Sequence, residues 1–289
     1  MPMTRPIGLA HLSALQLSPP ELVGVAADCG FTSIGVRVHP ATASETRYPM
    51  DERSPMAAQT VERLADVNLS AFDVEVFTLD GNRGREDWLP VLAAGSYLGA
   101  RALNVIGGDE QRNRLIDDLA ALVRDAREFG IIPMIEPISY QKIDTFGSAV
   151  AVAEQTECAV MLDVLHFVRA GGTIDDLTSA PAGTVQLIQL CDGPAVLPRY
   201  SSPPRMPLGQ DTHGSVRQIE SRARRLVPGE GDFPLREIIS QLPGIPISVE
   251  VPDVAFVEKW GVATHLERLM TSTRHLIDTA DTETRSVPQ

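Results

Sequence analysis

Hydrophobic positions in this chain fall into short runs that alternate with longer amphipathic stretches. Residues 33–38 and 102–106 are short runs rich in branched apolar side chains, which predict strands. Residues 109–129 instead carry apolar side chains at helical spacing and end at Gly130, a helix-terminating residue. The predicted strands are 7–13, 33–38, 70–78, 102–106, 131–138, 159–167, 185–191 and 247–251. Eight strands alternating with eight helices predict an α/β fold, a single-domain (β/α)8 barrel.

Two segments fall outside this alternation. Residues 193–232, after the seventh strand, are rich in Pro, Arg and Gly, and loops this long usually serve a site. We expect the barrel to span 1–280, with this insertion near the active-site face, followed by a polar tail at 281–289. The arginines of the insertion are Arg199, Arg205, Arg217, Arg222, Arg224 and Arg225. They indicate either a solvated helix near 215–226 or a lid that closes over an anionic substrate.

Composition excludes some classes of partner. Lys and Arg total 25 against 38 Asp and Glu, a formal net charge of −13, which disfavours nucleic acid and anionic membranes. No segment reaches the ~20 apolar residues of a spanning helix. The three cysteines lack a paired spacing and are expected to be buried free thiols. With no signal-peptide pattern, we expect a cytoplasmic protein, and a homodimer is a candidate assembly.

Polar residues interrupt four consecutive predicted strands near their carboxyl ends. They are Glu136, Asp163 with His166, Gln189, and Glu250. Strands of a parallel barrel are apolar because both faces are buried, and active sites of this fold lie at the carboxyl ends of the strands. A single such residue could equally be a structural capping or ion-pairing group. Four strands in succession favour one shared site.

A divalent metal would resolve the repulsion between the three carboxylates. Like charges brought close together oppose each other's ionisation and burial. Glu136, Asp163 and Glu250, with the amide oxygen of Gln189, form an oxygen-rich ligand set that suits Mn or Mg. Co or Zn stays open, although a structural zinc site is disfavoured because no Cys/His cluster occurs.

These motifs resemble the xylose isomerase-like TIM barrel superfamily, the sugar phosphate isomerase/epimerase and AP endonuclease 2-type barrel family. In epimerase-like members a Glu, an Asp, a His and a Glu on strands five to eight bind the metal. The resemblance assigns Glu136, Asp163 and Glu250 to three of these positions. The family's His-x-x-Asp motif departs here to Gln189-Leu-Cys-Asp192, so the imidazole ligand is replaced by an amide.

The resemblance also assigns residues that contact the substrate. His166 matches a substrate-contacting histidine, and Arg225 precedes a Pro-Gly-Glu-Gly turn similar to the family's own. Three residues near the ends of the first three strands, His11, Arg37 and Glu75, are further candidates for substrate binding. Each could equally serve packing, and Glu75 could pair with Arg37. An endonuclease-like trinuclear zinc site is disfavoured, since the chain has only 6 histidines.

Three functions follow from this site. The first is a metal-dependent isomerase or epimerase acting on a sugar or keto-polyol, in which Glu136 and Glu250 remove and return a proton beside a carbonyl that the metal polarises. The second is a dehydratase or other β-eliminating lyase on a keto-sugar or keto-acid, with His166 as the acid. The third is a non-catalytic, metal-stabilised binding subunit. A small carbohydrate-like molecule is the expected partner.

Overall fold

Eight parallel strands close into a barrel in sequence order, as predicted. The computed structural model describes residues 5–200, 206–210 and 215–286. The strands are β1 (Ile7–Leu9), β2 (Ser33–Arg37), β3 (Ser70–Leu79), β4 (Ala102–Gly107), β5 (Ile132–Glu136), β6 (Ala159–Asp163), β7 (Val185–Leu190) and β8 (Ile247–Val249). The barrel closes where Ile7 pairs with Ile247 and Leu9 with Val249.

The interior of the barrel is apolar in its central part and polar at the carboxyl ends of the strands. Met134, Met161 and Leu187 form a buried cluster inside it. Side chains on the outward faces of the strands pack against the surrounding helices in one large core. This packing holds the carboxyl ends of the strands in place, so that polar side chains there project into a fixed mouth.

Helices follow the strands around the barrel. They are α1 (Pro19–Asp28), α2 (Pro55–Asp66), α3 (Arg85–Tyr97), α4 (Arg112–Glu128), α5 (Phe146–Thr156), α6 (Val164–Arg169), α7 (Ile174–Ser179), α8 (Val216–Ala223), α9 (Leu235–Gln241), α10 (Val254–Trp260) and α11 (Val262–Ser286). Within the described ranges, no helix has both the length and the apolar character needed to cross a bilayer.

The structure differs from the sequence predictions most clearly at four places. Strand β1 ends at Leu9 instead of 13, because residues 11–14 form a 3-10 turn. Strand β6 ends at Asp163 instead of 167, because the Asp163 side chain accepts hydrogen bonds from Leu165 and His166 backbone N–H groups and so begins α6. Helix α10, between β8 and the last helix, was not predicted. Helix α11 continues to Ser286, into the segment expected to be a polar tail, and 287–289 lie outside the described residues.

The insertion after β7 is anchored to the barrel where the structure describes it. Glu220 of α8 is fully buried and accepts from Arg169 Nη2 at 2.6 Å, and Arg217 Nη1 donates to the Ser139 carbonyl at 2.7 Å. The interpretation of 215–226 as a solvated helix is therefore wrong for the inner face of α8, because its polar residues pair with α6 and with the loop after β5. Arg205 lies outside the described residues.

Candidate active site

The four strand ends bring Glu136, Asp163, Gln189 and Glu250 together at the mouth. Asp163 and Gln189 are register partners on β6 and β7. Glu250 directly follows β8, and its backbone N–H donates to the Leu190 carbonyl at 3.0 Å. All four side chains are buried. The strands therefore concentrate three carboxyl groups and one amide in a small space, as the sequence predicts.

A buried guanidinium lies between two of these carboxylates. Arg225 Nη1 is 2.7 Å from Asp163 Oδ2, and Arg225 Nη2 is 2.7 Å from Glu250 Oε2. Arg225 is itself buried, so both pairs are shielded from water. In this structure Arg225 contacts the predicted metal ligands directly.

Asp192 holds Arg225 in that position. Its backbone N–H donates to the Leu226 carbonyl at 2.8 Å, and Leu226 N–H donates back at 2.9 Å. Its buried carboxylate accepts from three backbone amides, those of Gly193, Gly229 and Phe233. Asp192 therefore fixes the Pro-Gly-Glu-Gly turn and Leu226, the residue that directly follows Arg225.

Glu136 has an environment that favours its protonated form. Burial raises the pKa of Glu136 to about 8, and the nearby Asp163 carboxylate adds to this shift. Asn104 Nδ2 donates to Glu136 Oε2 at 2.8 Å, which opposes the shift. Because Oε2 accepts from Asn104, Oε1 is the oxygen left to hold the proton in the protonated form.

The pKa values of Asp163 and Glu250 shift in opposite directions, although both side chains contact Arg225. Burial opposes the ionisation of Asp163, but the Arg225 guanidinium, His166 and the hydrogen bonds that they donate together outweigh it, and the pKa of Asp163 is lowered. Burial raises the pKa of Glu250 well above its usual value, and the Arg225 guanidinium only partly offsets this. The surroundings of Asp163 therefore favour its ionised form, whereas burial opposes the ionisation of Glu136 and Glu250.

His166 lies on α6, beside the carboxylates. Burial lowers the pKa of His166 to about 4, with Asp163 partly opposing the shift. Its Nδ1 is 3.2 Å from Ser139 Oγ and its Nε2 is 3.3 Å from Ser221 Oγ. The ring of Tyr140 packs edge-on against it, with centroids 5.3 Å apart. A neutral imidazole between two hydroxyls is suited to hydrogen bonding.

A second buried polar cluster underlies the opposite wall of the mouth. Arg37 Nη2 lies 3.3 Å from Glu75 Oε2, and Arg37 Nε lies 3.7 Å from Glu45 Oε1. His11 Nδ1 accepts from the Arg37 backbone N–H at 2.9 Å, and its Nε2 is 2.9 Å from the Leu17 carbonyl. Burial lowers the pKa of His11 to about 3. Both ring nitrogens of His11 are therefore used within the protein.

A polar pocket of about 110 Å³ opens between these two walls. Five of the nine predicted site residues line it: Arg37, Glu136, His166, Arg225 and Glu250. Asp163 and Gln189 lie behind that surface, and His11 and Glu75 lie beneath Arg37. The sequence reasoning missed Asn104, although a polar residue inside the apolar run of β4 is the same signal that identified Glu136. Ser221, Tyr140 and Gln210 carry no comparable signal, because they come from loops and the insertion.

The donor chemistry of the mouth fits a divalent cation. Gln189 Nε2 donates to Glu250 Oε1 at 3.2 Å, and Gln189 Oε1 is a buried oxygen with no hydrogen-bond partner among the described residues. Arg225 contacts only two of the three carboxyl groups, and a divalent ion would favour the ionised forms that burial opposes. Ligand atoms of Glu136, Asp163 and His166 all lie within 4.8 Å of one another. The imidazole of His166 is therefore close enough to complete a ligand set with these two carboxylates.

Comparisons with known proteins agree with this architecture. The family described as xylose isomerase-like TIM barrel matches residues 23–283. No curated protein is similar enough in sequence to be matched to the chain.

Solved structures with the same fold include proteins of different activity. An IOLI protein crystallised with a zinc atom has a TM-score of 0.71 at 15% identity, covering 95% of this chain and 99% of its own. An L-ribulose 3-epimerase has a TM-score of 0.69 at 16% identity, covering 99% of both chains. A probable 3-DHS dehydratase, AsbF from Bacillus anthracis, has a TM-score of 0.69 at 13% identity, covering 93% and 98%. At these identities the similarity shows the shared fold alone.

Proposed function

The chain belongs to the xylose isomerase-like TIM barrel family, and from this premise we propose that it is a metal-dependent isomerase or epimerase acting on a sugar or keto-polyol. The observation that carries the proposal is the placement of Glu136 and Glu250 in one polar pocket, with Asp163 and Gln189 behind them. The zinc of the IOLI protein and the activity of L-ribulose 3-epimerase, as properties of relatives in fold, support it.

Glu136, Asp163, Gln189 and Glu250 would hold the metal. When bound, a divalent ion polarises a carbonyl and acidifies the neighbouring carbon. The oxygen-rich set favours Mn or Mg, and His166 as an additional donor would move the preference toward Co or Zn. Arg225 contacts Asp163 Oδ2 and Glu250 Oε2, so it would compete with the metal for these two oxygens.

The proton transfers belong to Glu136 and Glu250. A carboxyl group with a pKa near the working pH can both accept and return a proton, and Glu136 has this property at Oε1. Glu250 comes from β8 and Glu136 from β5, so the two approach a bound molecule from different strands. Arg37 and Arg225 line the pocket and would orient its oxygens, with Glu75 and His11 positioning Arg37 from below.

The lyase alternative requires an acid for the leaving group. The sequence assigned that role to His166, but a buried imidazole with a pKa of about 4 is neutral at pH 7 and has no extra proton to donate. We therefore propose that His166 binds a substrate oxygen. The lack of a proton on His166 at pH 7 favours proton return to carbon over elimination that uses His166 as the acid.

The metal site is tested by elemental analysis of purified protein. We expect near-stoichiometric metal in the parent and its loss in Glu136→Ala and Asp163→Ala. Glu154→Ala, which removes an exposed carboxylate on α5, is the matched control and should retain the metal. A parent that binds no metal even after incubation with Mn²⁺ would overturn the proposed function and favour the binding subunit.

The reaction class is tested in D₂O. Incubation of the metal-loaded protein with ketohexoses should place one deuterium at the carbon beside the carbonyl, observed by proton NMR. Glu250→Gln should abolish this exchange while the far-UV circular dichroism spectrum is unchanged. Formation of a dehydrated product without deuterated starting sugar would identify a lyase instead.

A further inference from the structure

A larger cavity lies directly beside the polar pocket. Its volume is about 550 Å³ against about 110 Å³ for the polar pocket. Leu12, on the 3-10 turn that follows β1, lines both. The two spaces are therefore neighbours at the same mouth of the barrel, and Leu12 contacts both.

The lining of this cavity is mostly apolar. Its apolar residues are Leu12, Met206, Leu208, Pro252, Val254 and Val257. The charged residues that line it are both acidic, Asp253 and Glu258. Asp253 is already engaged, because its carboxylate accepts from the Phe256 backbone N–H at 3.0 Å and caps α10. An anionic group would be repelled here, whereas an uncharged apolar group would be desolvated favourably.

The walls of the cavity are tied to the barrel. The Thr46 backbone N–H donates to the Leu208 carbonyl at 2.7 Å, and Gln210 Nε2 donates to Glu45 Oε2 at 3.1 Å. These bonds attach the insertion to the loop after β2. On the other side Ser13 Oγ accepts from the Val251 backbone N–H at 2.8 Å, which holds the turn bearing Leu12 against the chain after β8. The cavity therefore exists before any ligand arrives.

We propose that the substrate has two parts: a hydroxy-ketone end in the polar pocket and an uncharged apolar substituent in the cavity beyond Leu12. The inference rests on the proposed function, because that function supplies the hydroxy-ketone end. The polar pocket accommodates little more than the reacting atoms, whereas the adjacent cavity has about five times its volume. The preferred substrate is accordingly a sugar or keto-polyol that carries an apolar substituent, and an unsubstituted ketose occupies the polar pocket alone.

The test compares two small ketones that share the reacting end. Hydroxyacetone carries a methyl group where 2-hydroxyacetophenone carries a phenyl ring. Isothermal titration calorimetry on the full chain with Mn²⁺ should show at least about tenfold tighter binding of the phenyl compound, from the additional apolar area buried. Val257→Asp should reduce this ratio to near one. The control is Val67→Asp, at an exposed apolar position that ends α2, which should keep the ratio of the parent.

Each outcome decides the proposal separately from the metal chemistry. Equal affinities in the parent, or an unchanged ratio in Val257→Asp, would overturn it while hydroxyacetone binding still supports the proposed function. If neither ketone binds, the proposed function fails, and benzyl alcohol, which lacks the hydroxy-ketone, is tested by saturation-transfer NMR. A saturation-transfer signal from benzyl alcohol with the parent, lost in Val257→Asp, would support the apolar site. The absence of this signal in the parent would overturn the proposal. A parent dimer that Val257→Asp dissociates, with no phenyl preference, would show that this face binds a second copy instead.

Discussion

Burial of His166 keeps its imidazole neutral in the folded protein at neutral pH. The native imidazole stays neutral to about pH 4, whereas an unfolded histidine takes up a proton near 6.5. As pH falls from 6.5 toward 4, the unfolded state binds more protons, so the free energy of unfolding decreases by about 1 kcal/mol per pH unit from this residue.

Substitution of His166 should flatten that dependence. We expect urea unfolding of His166→Gln at pH 7.5, 6.5, 5.5 and 4.5 to show a shallower loss of stability than the parent. His275→Gln, at an exposed position of α11, is the matched control. Parallel curves for parent and His166→Gln would mean that the imidazole is protonated in the folded protein and is available as an acid after all.

Arg225 is the charge that makes the metal-free mouth stable. Arg225→Met leaves Asp163 and Glu250 buried without their partner, which should cost about 3–5 kcal/mol of unfolding free energy. Mn²⁺ should recover part of that loss in the variant, because it supplies the missing positive charge. Thermal unfolding with and without Mn²⁺ measures both effects.

A surface pair provides the comparison. Arg268→Met removes a partly exposed pair with Glu230 and should cost no more than about 1 kcal/mol, with no rescue by Mn²⁺. If Arg225→Met lowered the unfolding free energy by no more than Arg268→Met does, the buried ion pairs would not be what stabilises the mouth.

At the scale of elements, the turn after α8 depends on a glycine. A Cβ at Gly231 would lie 2.4 Å from Asp192 Oδ1 and 2.5 Å from the Gly193 carbonyl oxygen. Gly231→Ala should therefore displace the Asp192 carboxylate, loosen the turn and misalign Arg225. We expect a loss of about 1–3 kcal/mol in unfolding free energy and a lower turnover.

The matched control for that substitution is Gly147→Ala. Nothing lies within 4 Å of a Cβ at Gly147, in the first turn of α5. It should gain up to about 1 kcal/mol, since alanine loses less backbone entropy than glycine in a helix. Equal effects of the two substitutions in urea unfolding would contradict the crowding at Gly231.

The sequence predicts the features that depend on neighbouring residues along the chain. It does not predict the features that depend on contacts between residues far apart in the chain. The eight strands follow from apolar runs, and the sequence Ser18-Pro19-Pro20 is a local signal for the start of α1. The burial of Glu220 could not be predicted, because its partner Arg169 is 51 positions away. Similarly, Glu136 and Glu250 stand out as charges in apolar strands, whereas Ser221 reaches His166 only through the fold of the insertion.

At the scale of the whole molecule, a ligand set drawn from β5 to β8 would link metal binding to global stability. At a hundredfold excess over its Kd, Mn²⁺ should add about 3 kcal/mol to the unfolding free energy. Glu136→Ala should abolish this gain and Glu154→Ala should keep it, measured by urea unfolding. A net charge of −13 also predicts that the affinity for Mn²⁺ decreases as salt increases.

The paired hydrogen bonds between Asp192 and Leu226 place the two ends of the intervening segment side by side. A segment whose ends already meet can be exchanged for one of different length at little entropic cost, since loop closure depends only weakly on length. Residues 194–224 are therefore a natural unit for grafting. A chimaera that keeps Asp192, Arg225 and the turn, but carries another relative's segment, should retain the barrel chemistry and acquire the donor's preference for substituents.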